Sequence, residues 1–307
     1  MLQHTISVHD SDAGSRGIQP RGYNLPDATR LGRVRLQVAD LARSLSFYED
    51  VLGFRVLDRA VGGATLGAHE DDTPLIELQA LPGAAPVPRS GRLGLYHFAL
   101  LLPDRAALGR FLRHLAEIGY DAGASDHSVS EALYLRDPDG LGIEVYADRP
   151  MEAWRYDGRQ LLMDTKPLDA QNLARAANGQ PWTGMPAGTS VGHVHLHVGD
   201  IDRAVAFFHA ALGLDAVVWS YPGALFLSAG GYHHHLGVNT WAGANARSPG
   251  AGDAQLLQWE IIVPDRADAE RAARSMEDAG HRVVRDDRGW LVEDPWGTTL
   301  RMVSLDV

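Results

Sequence analysis

Gly192-His-Val-His-Leu-His-Val-Gly-Asp200 has an earlier counterpart in the same chain, Gly32-Arg-Val-Arg-Leu-Gln-Val-Ala-Asp40, and the two align without a gap. In both, apolar residues alternate with polar ones, the period-two mark of a half-buried strand. Asp40 and Asp200 then suit helix N-caps. Leu41, Leu45, Tyr48 and Leu52 follow at helical spacing up to Gly53, and Ile201, Val205, Phe208 and Leu212 repeat this up to Gly213. Further strands are expected over 74–80 and 225–240, the latter a hairpin turning at Gly230-Gly231.

A second pair of stretches tells the same story. His97-Phe-Ala-Leu-Leu-Leu-Pro-Asp-Arg105 matches Gln258-Trp-Glu-Ile-Ile-Val-Pro-Asp-Arg266. Helices are predicted over 106–118 and 267–279, stopped by Gly119 and Gly280. Hairpins should turn at Asp137-Pro-Asp-Gly140 and Asp294-Pro-Trp-Gly297. The chain therefore holds four similar units, each a strand, a helix and further strands. The expected organisation is an arm over 1–30, a first module of two units over 31–148, a linker over 149–190 and a second module over 191–307. The linker is rich in Pro, Gly, Asn and Asp, begins Arg149-Pro-Met-Glu-Ala-Trp154, and has room for one short helix near 169–177.

Composition narrows the class. Two domains suit 307 residues, 45% apolar content is ordinary, and no apolar run approaches the roughly 20 residues of a membrane helix. The polar, Gly/Pro-rich start reads as a loosely held arm, not a leader, so the cytoplasm is the expected location. With no cysteine there are no disulfides and no thiolate chemistry. A net charge of -11 argues against nucleic acid and anionic membranes as partners. The 14 histidines, several of them clustered, are the unusual feature, because imidazole is the commonest side-chain metal ligand.

The two pairs differ where it matters. His193 stands opposite Arg33, His97 opposite Gln258, and Glu144 opposite Arg301. If each half of the chain closed its own site, neither would hold two histidines and a carboxylate. Pairing the third unit with the second brings all three together and leaves the first and fourth as a degenerate partner site. Singly, His97 also reads as a hydrogen-bonded strand histidine and Glu144 as a surface glutamate; the set is what points to a metal. His193, His195 and His197 share one strand face, and the repeat selects His193. Glu77 falls in the degenerate site, without histidines beside it, and reads as a solvated strand residue.

Four βαβββ units with an Asp-Pro-Asp-Gly-x-x-x-Glu turn before the last strand resemble the vicinal-oxygen-chelate superfamily of glyoxalases, fosfomycin-resistance proteins and extradiol dioxygenases. The likeness covers 31–148 and 190–305. More narrowly, His127-Ser-Val-Ser-Glu-Ala-Leu-Tyr134-Leu-Arg-Asp-Pro-Asp-Gly140-Leu-Gly-Ile-Glu144 resembles the extradiol signature of a His, a Tyr, a Pro-x-Gly turn and a Glu. Ser125, two residues before the histidine, departs from it. The layout with Tyr146-Ala-Asp-Arg-Pro150 and Gly230-Gly-Tyr-His-His-His-Leu-Gly-Val-Asn239 is similar to two-module catechol 2,3-dioxygenase-like proteins.

The resemblance implies an α+β fold of two tandem modules, with the metal between units from different halves. It implies His193, His97 and Glu144 as metal ligands; two imidazoles and a carboxylate on one face suit a non-haem Fe(II) oxygenase. Manganese(II) accepts the same set. The implied partners are a small catecholic or hydroquinone-like aromatic and O2, and a homo-oligomer is compatible with the sequence. His127 and Tyr134 match the residues beside the bound catecholate, which must lose protons to chelate and regain one before the O–O bond breaks. A catalytic histidine is also implied near Tyr232-His-His-His235. Alternation puts His233 and His235 on one side and His234 on the other, with His233 the first choice and His235 the second. Tyr221, Asn239 and Trp241 are candidates for the pocket wall. The competing readings are a glyoxalase-type isomerase or lyase, which would want a further carboxylate on the metal, and a metal-free sequestering protein of the bleomycin-resistance kind.

Overall fold

The structure is a computed structural model and describes residues 16–305. The first unit runs β1 (Arg30–Val38), α1 (Leu41–Ser46), β2 (Arg55–Ala60), β3 (Gly63–Gly67) and β4 (Ile76–Ala80). The second runs β5 (Gly94–Leu101), α2 (Arg105–Glu117), β6 (Gly123–Asp126), β7 (Ser130–Arg136) and β8 (Gly142–Asp148). After the linker, with β9 (Tyr156–Asp157), β10 (Gln160–Leu161) and α3 (Ala170–Ala176), the third unit is β11 (Ser190–His197), α4 (Ile201–Ala204), β12 (Asp215–Val218), β13 (Ala224–Ser228) and β14 (Leu236–Asn239). The fourth is β15 (Gln255–Val263), α5 (Arg266–Asp278), β16 (Val283–Asp286), β17 (Gly289–Glu293) and β18 (Thr299–Ser304).

The main helix of each unit opens on an aspartate, Asp40 and Asp200 as expected. Asp40, Asp104, Asp200 and Asp265 accept from the backbone N–H groups of Arg43, Ala107, Arg203 and Asp268, satisfying donors that the first helical turn leaves open. The helices of units one and three both widen at the same point, where Leu52 N–H reaches Phe47 C=O at 3.2 Å and Leu212 N–H reaches Phe207 C=O at 3.0 Å. These i→i+5 bonds are conserved between the repeats as a paired local feature.

Two eight-stranded sheets result, and each takes one unit from each half of the chain. Their orders are β16-β17-β18-β15-β1-β4-β3-β2 and β12-β13-β14-β11-β5-β8-β7-β6. The join is antiparallel in both, β1 on β15 and β11 on β5, with bulges at matching places, after Arg35 and after His195. Val34, Leu36, Val38, Val194, Leu196 and Val198 are buried in one continuous apolar cluster, so the alternate residues are left for the concave faces.

The expected arm and linker are both more tightly held than their composition suggests. Residues 1–15 lie outside the described part. Beyond them, Ile18 exchanges backbone hydrogen bonds with Ala216, and Leu25 N–H reaches Gly213 C=O at 2.9 Å. In the linker, Leu173 of α3 is fully buried, and Lys166 exchanges backbone bonds with Asp126 at 2.9 Å each way.

Candidate metal centre

The second sheet brings the candidate ligands into one row. His193 on β11 lies opposite Ala99 on β5, Ala99 opposite Glu144 on β8, and Glu144 opposite Tyr134 on β7. Residues paired across a sheet point to the same face, and each strand adds about 4.8 Å. Ala99 is the small residue between the two ligands, and the curl of the sheet closes the rest of the gap. His97 stands one step along β5, directly opposite His195.

The three ligand atoms lie within 4.8 Å of one another. Glu144 Oε2 is 3.0 Å from His97 Nε2 and 3.1 Å from His193 Nε2. All three residues are buried. Burial pushes the Glu144 carboxyl up, but His193 and His97 together outweigh it and hold it well below the usual carboxylate range. Burial, only partly opposed by Glu144, brings His193 down to about 4. A carboxylate and neutral imidazoles are the protonation states that metal ligation requires. His97 Nε2 and His193 Nε2 thus crowd the same oxygen of one buried carboxylate. The residues fit a divalent cation of the kind that takes nitrogen and oxygen donors.

Beside His193 on β11, the close approach of Tyr146 from β8 depends on Gly192. A Cβ there would sit 1.9 Å from Tyr146 Oη, so any other residue would displace the tyrosine packed against His193.

A cavity of about 230 Å³ opens over this row. Tyr96, Tyr221, Phe226, Trp241 and Met163 supply apolar surface, and His97, Glu144, His127, Tyr134, His195 and His234 supply polar groups. His127 and Tyr134 are brought together as the sequence implies, Nε2 to Oη at 2.6 Å. His127 Nδ1 lies 2.7 Å from the Asp164 carbonyl, which can only accept, so Nδ1 carries the hydrogen. Nε2 then accepts from Tyr134, whose proton points at His127 and whose oxygen lone pairs remain free. Burial, with Glu144 close by, pushes the Tyr134 phenol well above its ordinary value, so it is neutral.

The histidine run departs from expectation. His234 lines the cavity, its ring centroid 4.1 Å from that of His193. His233 is fully buried behind it, with Nε2 2.9 Å from Asp148 Oδ1. His235 points the other way, its Nδ1 accepting from Ala229 N–H at 3.2 Å. Neither His233 nor His235 lines the cavity. Strict alternation fails because β14 starts only at Leu236, and positive φ at Gly230 (62°) and Gly231 (73°) leads the chain into a bend.

Sequence reasoning missed several wall residues. Met163, Asp164 and Thr165 come from the linker, stitched to β6 through Asp126 and Lys166. Tyr96 precedes His97 and was hidden beside it. Tyr221 and Trp241 line the cavity as expected, whereas Asn239 acts behind it, 2.9 Å from His195 Nε2 and 2.6 Å from His197 Nδ1. Burial first, then neighbouring histidines, holds His195 well below its ordinary value.

The equivalent face of the other sheet carries ion pairs in place of the ligand set. Arg33 reaches Glu260 at 3.2 Å, Arg35 reaches Glu77 at 3.0 Å, and Arg301 makes a two-pronged pair with Asp286 at 2.6 and 2.8 Å. Glu77 is thus paired as well as partly solvated.

Residues 30–145 and 190–302 match the model of the Glyoxalase/Bleomycin resistance protein/Dioxygenase superfamily. A catechol-2,3-dioxygenase of Bacillus subtilis (strain 168) is 42% identical over 275 residues, covering 89% of this chain and 96% of that protein. The chain belongs to this superfamily, and within it to the family of that catechol-2,3-dioxygenase. Solved structures agree on the fold. A putative dioxygenase from Bacillus subtilis subsp. subtilis str. 168 superposes with a TM-score of 0.63 at 15% identity, over 92% of this chain and 86% of the other. Glyoxalase I from Zea mays gives 0.54 at 18% identity, over 90% and 92%. No helix among the described residues is long and apolar enough to cross a membrane.

Proposed function

We propose that this protein is an extradiol ring-cleaving dioxygenase that opens a catechol or hydroquinone-like ring with O2, using iron(II) held by His193, His97 and Glu144. The observation that carries this reading is the convergence of two buried imidazole nitrogens on one buried carboxylate oxygen, at the floor of an aromatic-walled cavity. Three protein ligands on one side leave open positions, and iron(II) bound there would supply a Lewis acid for both catechol oxygens and a site for O2.

The chain's own groups would manage the protons. A catechol hydroxyl that reaches Tyr134 Oη meets free lone pairs, while the tyrosine's hydrogen is already directed to His127 Nε2. Passing one proton along that bond takes it from the substrate to His127, anchored by the Asp164 carbonyl. On the opposite side His234 faces the ligands in neutral form, because burial and then His193 and His233 hold it well below its ordinary value. It would accept a proton from the second oxygen and return it later. Tyr96, Tyr221, Phe226 and Trp241 would hold the ring flat and exclude water.

A glyoxalase reading fits less well. Gly237 stands opposite His195, at the place where Glu77 stands opposite Arg35, so this sheet offers no fourth carboxylate there. The test is the metal content of anaerobically purified protein, followed by O2 uptake with a panel of catechols. Stoichiometric iron with catechol-dependent O2 consumption and a yellow ring-opened product is the expected result. Metal-dependent turnover of a hemithioacetal without O2 would replace this reading with the glyoxalase one.

A further inference from the structure

Behind His234 lies a buried hydrogen-bonded chain that the proposed chemistry does not touch. His233 Nδ1 is 2.7 Å from His234 Nδ1, and His233 Nε2 is 2.9 Å from Asp148 Oδ1. The other Asp148 oxygen accepts from Tyr232 Oη at 3.0 Å, and the Tyr232 and Tyr146 hydroxyls are 2.7 Å apart. His233 is fully buried, while the Asp148 side chain keeps about a quarter of its surface. Trp154 packs on the His233 ring, at 5.5 Å between centroids, and encloses the chain.

The polarity of this chain can be read from one end. A carboxylate only accepts, so His233 Nε2 must carry a hydrogen. With one hydrogen on Nε2, a neutral His233 has its lone pair on Nδ1. The contact between the two Nδ1 atoms then requires the hydrogen to sit on His234. His234 Nδ1 is thereby committed to the interior, and its Nε2 carries the lone pair on the cavity side.

We propose that Asp148 and His233 are positioning residues that fix His234 in the Nδ1–H tautomer, presenting a proton-accepting Nε2 to the cavity. This rests on the dioxygenase reading for the identity of the proton accepted, but the tautomer itself does not depend on it. The arrangement resembles the carboxylate behind the histidine of a serine protease triad in its logic. There, replacing the carboxylate by an amide preserves geometry but leaves the imidazole in the wrong tautomer. Here the control passes through one further imidazole, His233, and leaves His234 in the same Nδ1–H tautomer.

The test uses imidazole ¹⁵N NMR of metal-free protein, together with kinetics of the iron-loaded enzyme. Wild type should show His234 protonated at Nδ1 and unprotonated at Nε2. Asp148→Asn should mix or invert that state, because an amide can donate to His233 Nε2 as well as accept from it. The same variant should lose roughly 10²-fold or more in kcat, with iron content and catechol KM unchanged. Asp148→Glu, which restores a carboxylate, should recover part of the loss. A purely structural Asp148 would instead lower stability and metal content without moving the tautomer. His233→Phe should also release His234; if it does not fold, the near-isosteric Asp148→Asn decides the matter. Wild-type His234 protonated at Nε2, or full kcat in Asp148→Asn, overturns the proposal. If no catechol is turned over by wild type, the dioxygenase reading fails, and the NMR result alone decides the tautomer.

Discussion

His193 and Glu144 meet at 3.1 Å, although they come from opposite halves of the chain and stand two strands apart in one sheet. The joint between β11 and β5 is what brings them together, so the site exists only when the third unit docks on the second. Removing a ligand should therefore separate metal binding from folding. In Glu144→Ala His193 loses the carboxylate that partly opposed burial and stays neutral. We expect the fold to persist by circular dichroism while bound iron falls below a tenth of wild type and activity disappears. His97→Ala should behave alike. Full iron occupancy in either variant would remove these residues from the ligand set.

Ala99 makes the second test. It is fully buried in the row between His193 and Glu144. A larger side chain must occupy the space through which the two ligands reach each other. Ala99→Leu should cost about 1–3 kcal/mol of stability through overpacking and lower iron affinity more than tenfold. Ala99→Gly should retain the metal. Equal iron affinity in the two variants, by competition with a chromophoric chelator, would show that the ligands converge elsewhere.

His127 and Tyr134 should matter to turnover and not to metal. His127→Phe removes the acceptor of the tyrosine's proton and should lower kcat by roughly 10²–10⁴-fold, the range for a lost acid–base group. Tyr134→Phe removes one hydroxyl without opening a cavity and should cost less. Single-turnover measurements with O2 and an accepted catechol check both. Unchanged rates would make the 2.6 Å contact between them structural only.

What the sequence made readable and what it hid divide along physical lines. The capping aspartates Asp40 and Asp200, the alternation on β1 and β11 and the split of His193, His97 and Glu144 between repeats are local or repeated signals, and they survive folding. The wall supplied by Met163, Asp164 and Thr165 depends on a bridge from Lys166 to Asp126, a pairing that no local pattern announces. Alternation put His233 and His235 on one side and His234 on the other, the resemblance favoured His233, and alternation holds only for extended chain. Two glycines in left-handed conformation bend the segment, so His234 reaches the cavity instead. The stretch before β1 looked loose by composition, yet Ile18 joins β12 through backbone bonds that composition does not encode.

His235 gives the stability of the metal-free protein a pH dependence with a defined sign. Burial, then the nearby His233 and His193, push it from 6.5 down to about 3 in the folded state. The unfolded chain binds a proton between those values and the folded protein does not. Its stabilising contribution is therefore whole above pH 6.5 and is lost as pH falls toward 3, by up to about 1.4 kcal/mol per pH unit. His235→Leu loses the acceptor for Ala229 N–H and should be less stable at neutral pH. Its melting temperature should nonetheless fall less steeply than wild type between pH 6 and pH 4. Parallel curves would mean that His235 does not remain neutral in the folded state.

The cavity wall also makes a statement about charge. Among the described residues neither an arginine nor a lysine lines it, and Lys166 outside is paired with Asp164 at 3.2 Å and with Ser128 Oγ at 3.0 Å. A ring carboxylate would enter an enclosure with no cation on its described wall, the nearby Arg136 being engaged with the Gly140 carbonyl at 2.9 Å, and burying an unpaired charge is costly. A neutral alkylcatechol should therefore exceed a carboxymethyl catechol in kcat/KM by at least about tenfold, the equivalent of about 1.4 kcal/mol. Thr165→Arg places a guanidinium on the wall and should narrow or reverse that ratio, mainly through KM for the carboxylated substrate. If wild type already prefers the carboxylated catechol, the wall residues named here do not surround the ring substituent.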